Sequence, residues 1–175
     1  GMTETQENRD KLRNKQYKFF LNLLKDENSD PLPDMKPVTY YVMGANEWRG
    51  AETWPPQGTT FTPYYLGGGS ANTSNGNGFI KTTASASPDD VFISDPANPV
   101  PSVGGRWDSG AQEQTGPLGN RKDVLFYRSD ELTEPLEIAG PVKARLFISC
   151  STPETDIAVK VADVFPDGKA YNIVN

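Results

Sequence analysis

Residues able to carry out catalysis are scarce in this sequence. The 175-residue chain contains no histidine and a single cysteine, Cys150. A Ser-His-Asp triad, a Cys-His pair and a two-histidine metal site each need an imidazole, so none of them can form within the chain. One cysteine also excludes an intrachain disulfide and a cysteine-rich zinc site. We therefore predict no catalytic residue, and we expect Cys150 to be a small buried apolar side chain.

The glycine-rich stretch at residues 67–78 resembles two functional motifs only superficially. Gly68-Gly69-Ser70-Ala71-Asn72 lacks the last glycine of a Gly-x-Ser-x-Gly nucleophile elbow and precedes no helical pattern. Neither a Lys-Ser/Thr pair nor a helix follows the three glycines, so a phosphate-binding loop is not predicted. Asn72-Thr73-Ser74 fits the glycosylation sequon, which matters only in a secreted eukaryotic protein. We interpret the stretch as a loop.

Acidic residues could supply oxygen ligands, but their spacing matches no EF-hand loop. We interpret Asp167-Gly168 as a hairpin turn, and the other acidic residues as loop or outward-facing strand positions. A glycosidase pair would need two carboxyl groups facing each other across a cleft, and the sequence does not establish that geometry. No metal site and no cofactor are predicted. The residues considered are Asp89, Asp90, Asp95, Glu154, Asp156, Asp163 and Asp167.

Aromatic residues in irregular segments are better candidates for function. Trp and Tyr rings bury a large area and keep a polar group, so they are frequent in protein interfaces and sugar-binding sites. An Arg beside a Trp adds a cation–π contact and a partner for a carboxylate across a domain boundary. The alternative is that the rings pack at the edge of the core. The candidates, which we place in loops, are Trp48, Arg49, Trp54 and Tyr64, with Tyr65 and Trp107 as further aromatic residues.

Charge and periodicity set the first 25 residues apart. The formal net charge is −6, but residues 1–25 have a charge of +3, which leaves −9 for the remainder. Apolar residues at helical spacing predict one amphipathic helix, Arg9–Lys25, in a segment 9–27 that follows a tag remnant and disordered start at 1–8. Prolines in the linker 28–36 end it. Its predicted docking face is Tyr17, Phe20, Leu21 and Leu24.

Residues 37–175 show short apolar or alternating runs between turn residues. Such strands, joined by irregular connections, favour a mainly β fold, an antiparallel β-sandwich with jelly-roll topology. Alternation makes Asp156–Phe165 the clearest half-buried strand. The predicted strands are Val38–Met43, Thr59–Leu66, Phe79–Thr83, Asp90–Ser94, Val124–Tyr127, Leu136–Ala139, Val142–Cys150, Asp156–Phe165 and Ala170–Val174.

Charge and hydropathy also limit the possible partners. The acidic excess argues against a nucleic-acid partner. No apolar run is long enough for a membrane span and no basic-then-apolar leader is present, so we expect no membrane contact and a cytoplasmic protein. Exposing the broad apolar face of the helix would forfeit burial energy. We therefore expect residues 9–25 to cover the chain's own β domain or to form a homo-oligomer.

Ordered sequence blocks across about residues 37–170 carry a resemblance to a known family. They are Val42-Met43-Gly44-Ala45-Asn46-Glu47-Trp48-Arg49, Thr62-Pro63-Tyr64-Tyr65-Leu66-Gly67, Gly140-Pro141-Val142 and Asp163-Val164-Phe165-Pro166-Asp167-Gly168. They resemble the C-terminal β domain of the cocaine esterase and Xaa-Pro dipeptidyl-peptidase family of α/β-hydrolase serine hydrolases. The helix resembles the last helix of that family's hydrolase domain. Two departures are Gly119-Asn120-Arg121, where Asp-Gln-Arg is usual, and the end at Asn175, where relatives continue, so the resemblance implies a truncated β domain.

The resemblance implies a galactose-binding-like jelly roll that packs on a hydrolase domain, walls its pocket and supports oligomers. The family's catalytic Ser, Asp and His lie in the hydrolase domain, outside this chain. We therefore predict no hydrolysis of esters or Xaa-Pro amides by this chain alone, and an α/β-hydrolase domain or companion chain as its partner. The alternative is an independent carbohydrate- or ligand-binding module, since sandwich folds host both functions.

Overall fold

The computed structural model describes residues 6–25, 36–104 and 110–174 of the chain. The chain divides into two compact units, of which the first comprises residues 1–59 with 138–141, and the second comprises 60–137 with 142–175. In chain order the elements are α1 (Gln6–Lys25), β1 (Val38–Val42), β2 (Glu47–Ala51), β3 (Tyr65–Gly67), β4 (Phe79–Lys81), α2 (Thr115–Leu118), β5 (Val161–Val164) and β6 (Ala170–Val174).

The predicted N-terminal helix exists as α1 and begins three residues earlier than expected. Side-chain hydrogen bonds one turn apart, such as Gln6 Nε2 to Asp10 Oδ1 at 3.1 Å, support its first turns. The predicted docking face lies on this helix and is largely uncovered, with Leu24 80% exposed and Leu21 half-buried. No helix in the described ranges is long and apolar enough to cross a membrane. Most of the predicted linker, 28–36, and most of the predicted disordered start, 1–8, lie outside the described residues.

Strands β1 and β2 form an antiparallel hairpin in the first unit. The turn between them, residues 43–46, is closed by the Asn46 amide, which donates to the Val42 carbonyl at 2.8 Å. Gly44 (φ +89°) and Asn46 (φ +56°) take the left-handed conformations that Gly and Asn adopt most readily. Strand β1 confirms the prediction over 38–43. Strand β2 was not predicted, because Glu47, Arg49 and Gly50 interrupt the apolar alternation.

The second unit contains two further antiparallel pairs, β3 with β4 and β5 with β6. The β5–β6 connection confirms the Asp167-Gly168 turn: Gly168 has φ +83° and its amide donates to the Phe165 carbonyl at 2.8 Å. Three separate two-stranded antiparallel sheets occur within the described ranges, which agrees with a mainly β domain. The jelly-roll sandwich stays a prediction.

Polar side chains occupy much of the interior of the second unit. Gln114 is 5% exposed and donates from Nε2 to the carbonyls of Val103 (3.1 Å) and Gln112 (2.9 Å). Lys160 Nζ donates to the same Val103 carbonyl and to Gln114 Oε1. Asn172 Oδ1 accepts from the Gln112 amide at 2.6 Å. Because buried polar atoms are costly without partners, this network joins β6 to the segments at 103 and 112–114.

Several predicted strands are wrong. The segments Asp90–Ser94, Val124–Tyr127, Leu136–Ala139 and Val142–Cys150 are not strands. Only Val161–Val164 of the predicted strand Asp156–Phe165, and only the last two residues of Thr59–Leu66, are in strands. An apolar run indicates that burial would be favourable, but a strand also needs a neighbouring ladder of backbone partners. Without that ladder Ile157 and Val159 are exposed rather than half-buried. Cys150 is exposed too, which corrects its predicted burial, and its Sγ lies 3.0 Å from the Thr152 carbonyl.

Candidate functional site

The predicted aromatic candidates of the first unit lie on one structure, residues 38–55, which we call the aromatic hairpin. The strand register places Trp48 opposite Tyr41 and Arg49 opposite Tyr40. Since neighbouring strand residues point to opposite faces, Trp48 and Arg49 project from different faces of the hairpin. The prediction that these two residues lie in a loop is therefore wrong. Glu47 and Gly50, on either side of these residues, interrupt the apolar alternation from which a strand would be predicted.

One face of the aromatic hairpin carries Trp48. Its ring meets Tyr41 edge to face, with centroids 5.4 Å apart and planes at 65°. Lys15 of α1 places its Nζ 5.7 Å from the Trp48 ring centroid, within cation–π range. Trp48 nevertheless remains 55% exposed. This face therefore holds a well-oriented ring with half its surface available to a partner.

The other face carries Tyr40 and Arg49. Trp54, from the segment after β2, meets the Tyr40 ring edge to face at 5.4 Å and is 50% exposed. The Arg49 guanidinium pairs with Glu47 on the same strand, with Nε 2.7 Å from Oε1. Arg49 thus has a carboxylate partner on its own strand. This face combines an exposed indole with a charge pair at the surface.

The remaining aromatic candidates are not part of the aromatic hairpin. Tyr64 is an exposed residue of the second unit, immediately before β3, so the structure does not assign it to the same surface as Trp48 and Trp54. Tyr65 lies on β3 rather than in an irregular segment. Trp107 lies outside the described residues. The candidate surface therefore reduces to the hairpin and α1.

A second cluster, which the sequence did not reveal, organises the glycine-rich loop, residues 67–78. Asp90 Oδ1 accepts from the amides of Gly69 (3.0 Å) and Ala71 (2.8 Å), and its Oδ2 accepts from the Tyr127 hydroxyl at 3.0 Å. The Phe126 amide adds a bond to the Ala71 carbonyl at 2.7 Å. Asp90 thus ties the loop to the segment at 126–128. No spacing rule could have found it, since its partners are about 20 and 37 residues away.

Burial and the Asp90 carboxylate set the protonation of Tyr127. Desolvation of the phenolate, followed by the hydrogen bond to Asp90 and the repulsion of its charge, raises the pKa of Tyr127 to about 12. The hydroxyl therefore stays protonated and acts as a donor at neutral pH. This cluster keeps a loop in place.

Arg121, the last residue of the Gly119-Asn120-Arg121 stretch, forms a charge pair within the second unit. Its guanidinium holds both oxygens of Asp123, with Nε to Oδ1 at 2.7 Å and Nη2 to Oδ2 at 2.6 Å. Nη2 also donates to the Asn98 carbonyl at 2.6 Å. The hydrogen bond from Arg121 lowers the pKa of Asp123. Asp123 is consequently ionised at neutral pH, and the pair fixes the connector at 119–123 against the segment containing Asn98.

Comparison with known proteins shows which family the chain belongs to. Residues 31–175 match the family model described as the X-Pro dipeptidyl-peptidase C-terminal non-catalytic domain. The chain is 45% identical over 159 residues to cocaine esterase of Rhodococcus sp. (strain MB1 Bresler), which covers 87% of the chain and 27% of the esterase.

A Mycobacterium bovis protein, named provisionally as a serine esterase, is 32% identical over 151 residues, which cover 78% of the chain and 21% of that protein. The chain therefore spans about a quarter of the length of these relatives. On the family match across residues 31–175, the chain belongs to the X-Pro dipeptidyl-peptidase C-terminal non-catalytic domains, the type it shares with cocaine esterase.

Proposed function

We propose that this domain docks onto an α/β-hydrolase catalytic domain, helps to wall its substrate pocket and supports its oligomers, with the chemistry carried out by the catalytic domain as a serine hydrolase. The observation that carries the proposal is the exposure of Trp48 and Trp54 on the aromatic hairpin, in a domain of a non-catalytic family. Rings held edge to face and half uncovered are typical of interface anchors. In this proposal the β domain completes a jelly-roll sandwich.

The apolar face of α1 supports the same proposal. Tyr17, Phe20 and Leu24 are all more than half exposed, and burying each would contribute roughly 1.5–3 kcal/mol. Lys15, on the same helix, contacts Trp48 of the hairpin, so α1 lies beside the hairpin in the first unit. In this proposal the hydrolase domain also covers the apolar face of α1.

A chimera tests the proposal. The matched segment of Rhodococcus cocaine esterase is replaced by this chain, and ester hydrolysis and thermal melting are measured. We expect an active chimera in which Trp48→Ala and Trp54→Ala each raise KM or weaken the association of the two domains. Thr39→Ala, an exposed residue of the same hairpin that is paired with Gly50, is the control and should change neither.

Two outcomes would contradict the docking proposal. One is wild-type kinetics and melting in a chimera that carries both tryptophan substitutions. The other is specific binding of the isolated chain to a glycan array, abolished by the same substitutions, which would favour the carbohydrate-binding alternative. Ester turnover by the isolated chain that a serine-directed inhibitor abolishes would contradict its non-catalytic role.

A further inference from the structure

The glycine-rich loop contains two Asn-Gly pairs, Asn75-Gly76 and Asn77-Gly78, which share their chemistry and differ in their surroundings. In such a pair the glycine has no side chain to hinder attack of its backbone nitrogen on the asparagine carboxamide. We propose that Asn75 is a site of spontaneous deamidation in the folded protein, and that the fold protects Asn77 from the same reaction.

The reaction needs only water and a base. The Gly76 nitrogen loses its proton and attacks Cγ of Asn75, so that an N–Cγ bond forms, the Cγ–Nδ2 bond breaks and ammonia leaves. Water then opens the five-membered succinimide at either carbonyl and leaves aspartate or isoaspartate at position 75. One water is consumed, one ammonia is released, nothing is oxidised or reduced, and the loop gains one negative charge.

Asn75 is open to this reaction. Both Asn75 and Gly76 are exposed, so solvent base can reach the Gly76 nitrogen. That nitrogen donates to the Thr73 carbonyl at 2.9 Å, a single bond within the loop that must open first. A Cβ on residue 76 would lie 2.1 Å from the Ser70 carbonyl oxygen. The fold therefore requires a glycine at the position that makes Asn75 labile.

Asn77 is held in place on both sides of its carboxamide. Its Oδ1 accepts from the Ser70 amide at 2.9 Å, and its Nδ2 donates to the Gly68 carbonyl at 3.2 Å. Turning the carboxamide toward the Gly78 nitrogen would break both of its hydrogen bonds. Losing two such bonds slows attack by roughly tenfold or more.

Mass spectrometry of the full chain tests the proposal. The protein is incubated in mildly alkaline buffer and digested with trypsin, and fragmentation of the peptide Gly50–Lys81, which contains both asparagines, locates the modification. We expect Asn75 to deamidate roughly fivefold faster than Asn77, because attack at Asn75 opens one hydrogen bond and attack at Asn77 opens two. In guanidinium chloride the two rates should become similar, because the unfolded chain retains the sequence and loses the hydrogen bonds.

Two variants test whether Asn75 is the modified residue without relying on the tryptic digest. Asn75→Gln should remove most of the isoaspartate that an isoaspartate methyltransferase labels in the folded chain, whereas Asn72→Gln, in the same loop but followed by threonine, should leave it unchanged. Equal rates at Asn75 and Asn77 in the folded chain would overturn the proposal. An Asn75 that stays intact when folded while the unfolded chain deamidates would also overturn it.

Discussion

The aromatic hairpin and the glycine-rich loop differ in how far contacts within the chain use the interactions that their key side chains can make. Trp48 and Trp54 each contact one tyrosine ring and leave about half of their surface uncovered. The Asp90 carboxylate, which lies outside the loop, accepts three hydrogen bonds from donors within the same unit, two of them loop amides. A half-exposed ring can still contribute binding free energy when a partner buries it. A carboxylate that already accepts three hydrogen bonds within the chain has little remaining capacity to bind a partner. The comparison favours our proposal that the hairpin docks onto a partner, and it shows that contacts within the second unit support the loop.

Asp90→Ala should have the largest effect on stability. The substitution leaves the amides of Gly69 and Ala71 and the Tyr127 hydroxyl without their acceptor, at a cost of about 2–4 kcal/mol. Urea unfolding followed by tryptophan fluorescence measures it. Asp89→Ala, at the exposed neighbouring position, is the control and should cost less than about 0.5 kcal/mol. Equal losses in the two variants would contradict the role of Asp90 in supporting the loop.

Tyr127 should make the loop's stability sensitive to alkaline pH. Its folded pKa is about 12 against an ordinary value of 10.0, so the fold favours the neutral phenol. This contribution is fully present below pH 10 and is lost as pH rises toward 12, because the unfolded chain ionises first. Unfolding free energies measured across this range should fall more steeply for the wild type than for Tyr127→Phe. Parallel pH profiles would show that the phenol is not shielded.

Truncating the hairpin rings should cost less than removing Asp90. Trp48→Ala and Trp54→Ala each remove one edge-to-face contact and partial burial, so each should destabilise the isolated chain by about 1 kcal/mol. Fully buried tryptophans would cost about 3–5 kcal/mol. Thermal melting and urea unfolding distinguish these values. A loss in the larger range would mean that the rings pack in a core and would remove the argument for docking.

Lys15→Met should have the smallest effect. It removes the cation above the Trp48 ring but keeps a side chain of similar length, and an exposed cation–π contact is worth about 0.5–1 kcal/mol. Lys11→Met, one turn earlier on α1, is a comparison variant with the same change of charge. A double-mutant cycle with Trp48→Ala should give a coupling energy for Lys15 and a smaller one for Lys11. Equal couplings would mean that Lys15 acts only through the net charge of α1.

Elements defined by local pattern were predicted well. α1 follows from apolar residues at helical spacing, β1 and β6 follow from short runs of β-forming residues, and the Asp167-Gly168 turn follows from turn chemistry. Strand β2 was missed because Glu47, Arg49 and Gly50 obscure its alternation. The run Val142–Cys150 has strand composition without a strand, because a ladder needs a partner that a local pattern cannot specify.

The sequence by itself established that the chain holds no histidine, and the order of its motifs pointed to the family that the comparisons then showed. Composition and motif order depend only on which residues occur and in what succession. Tertiary structure alone decided that Trp48 and Arg49 occupy opposite faces of a strand, and that Asp90 supports a loop about 20 residues away. Register and long-range hydrogen bonds arise when the chain folds back on itself, and no local pattern of residues encodes which donor will meet which acceptor.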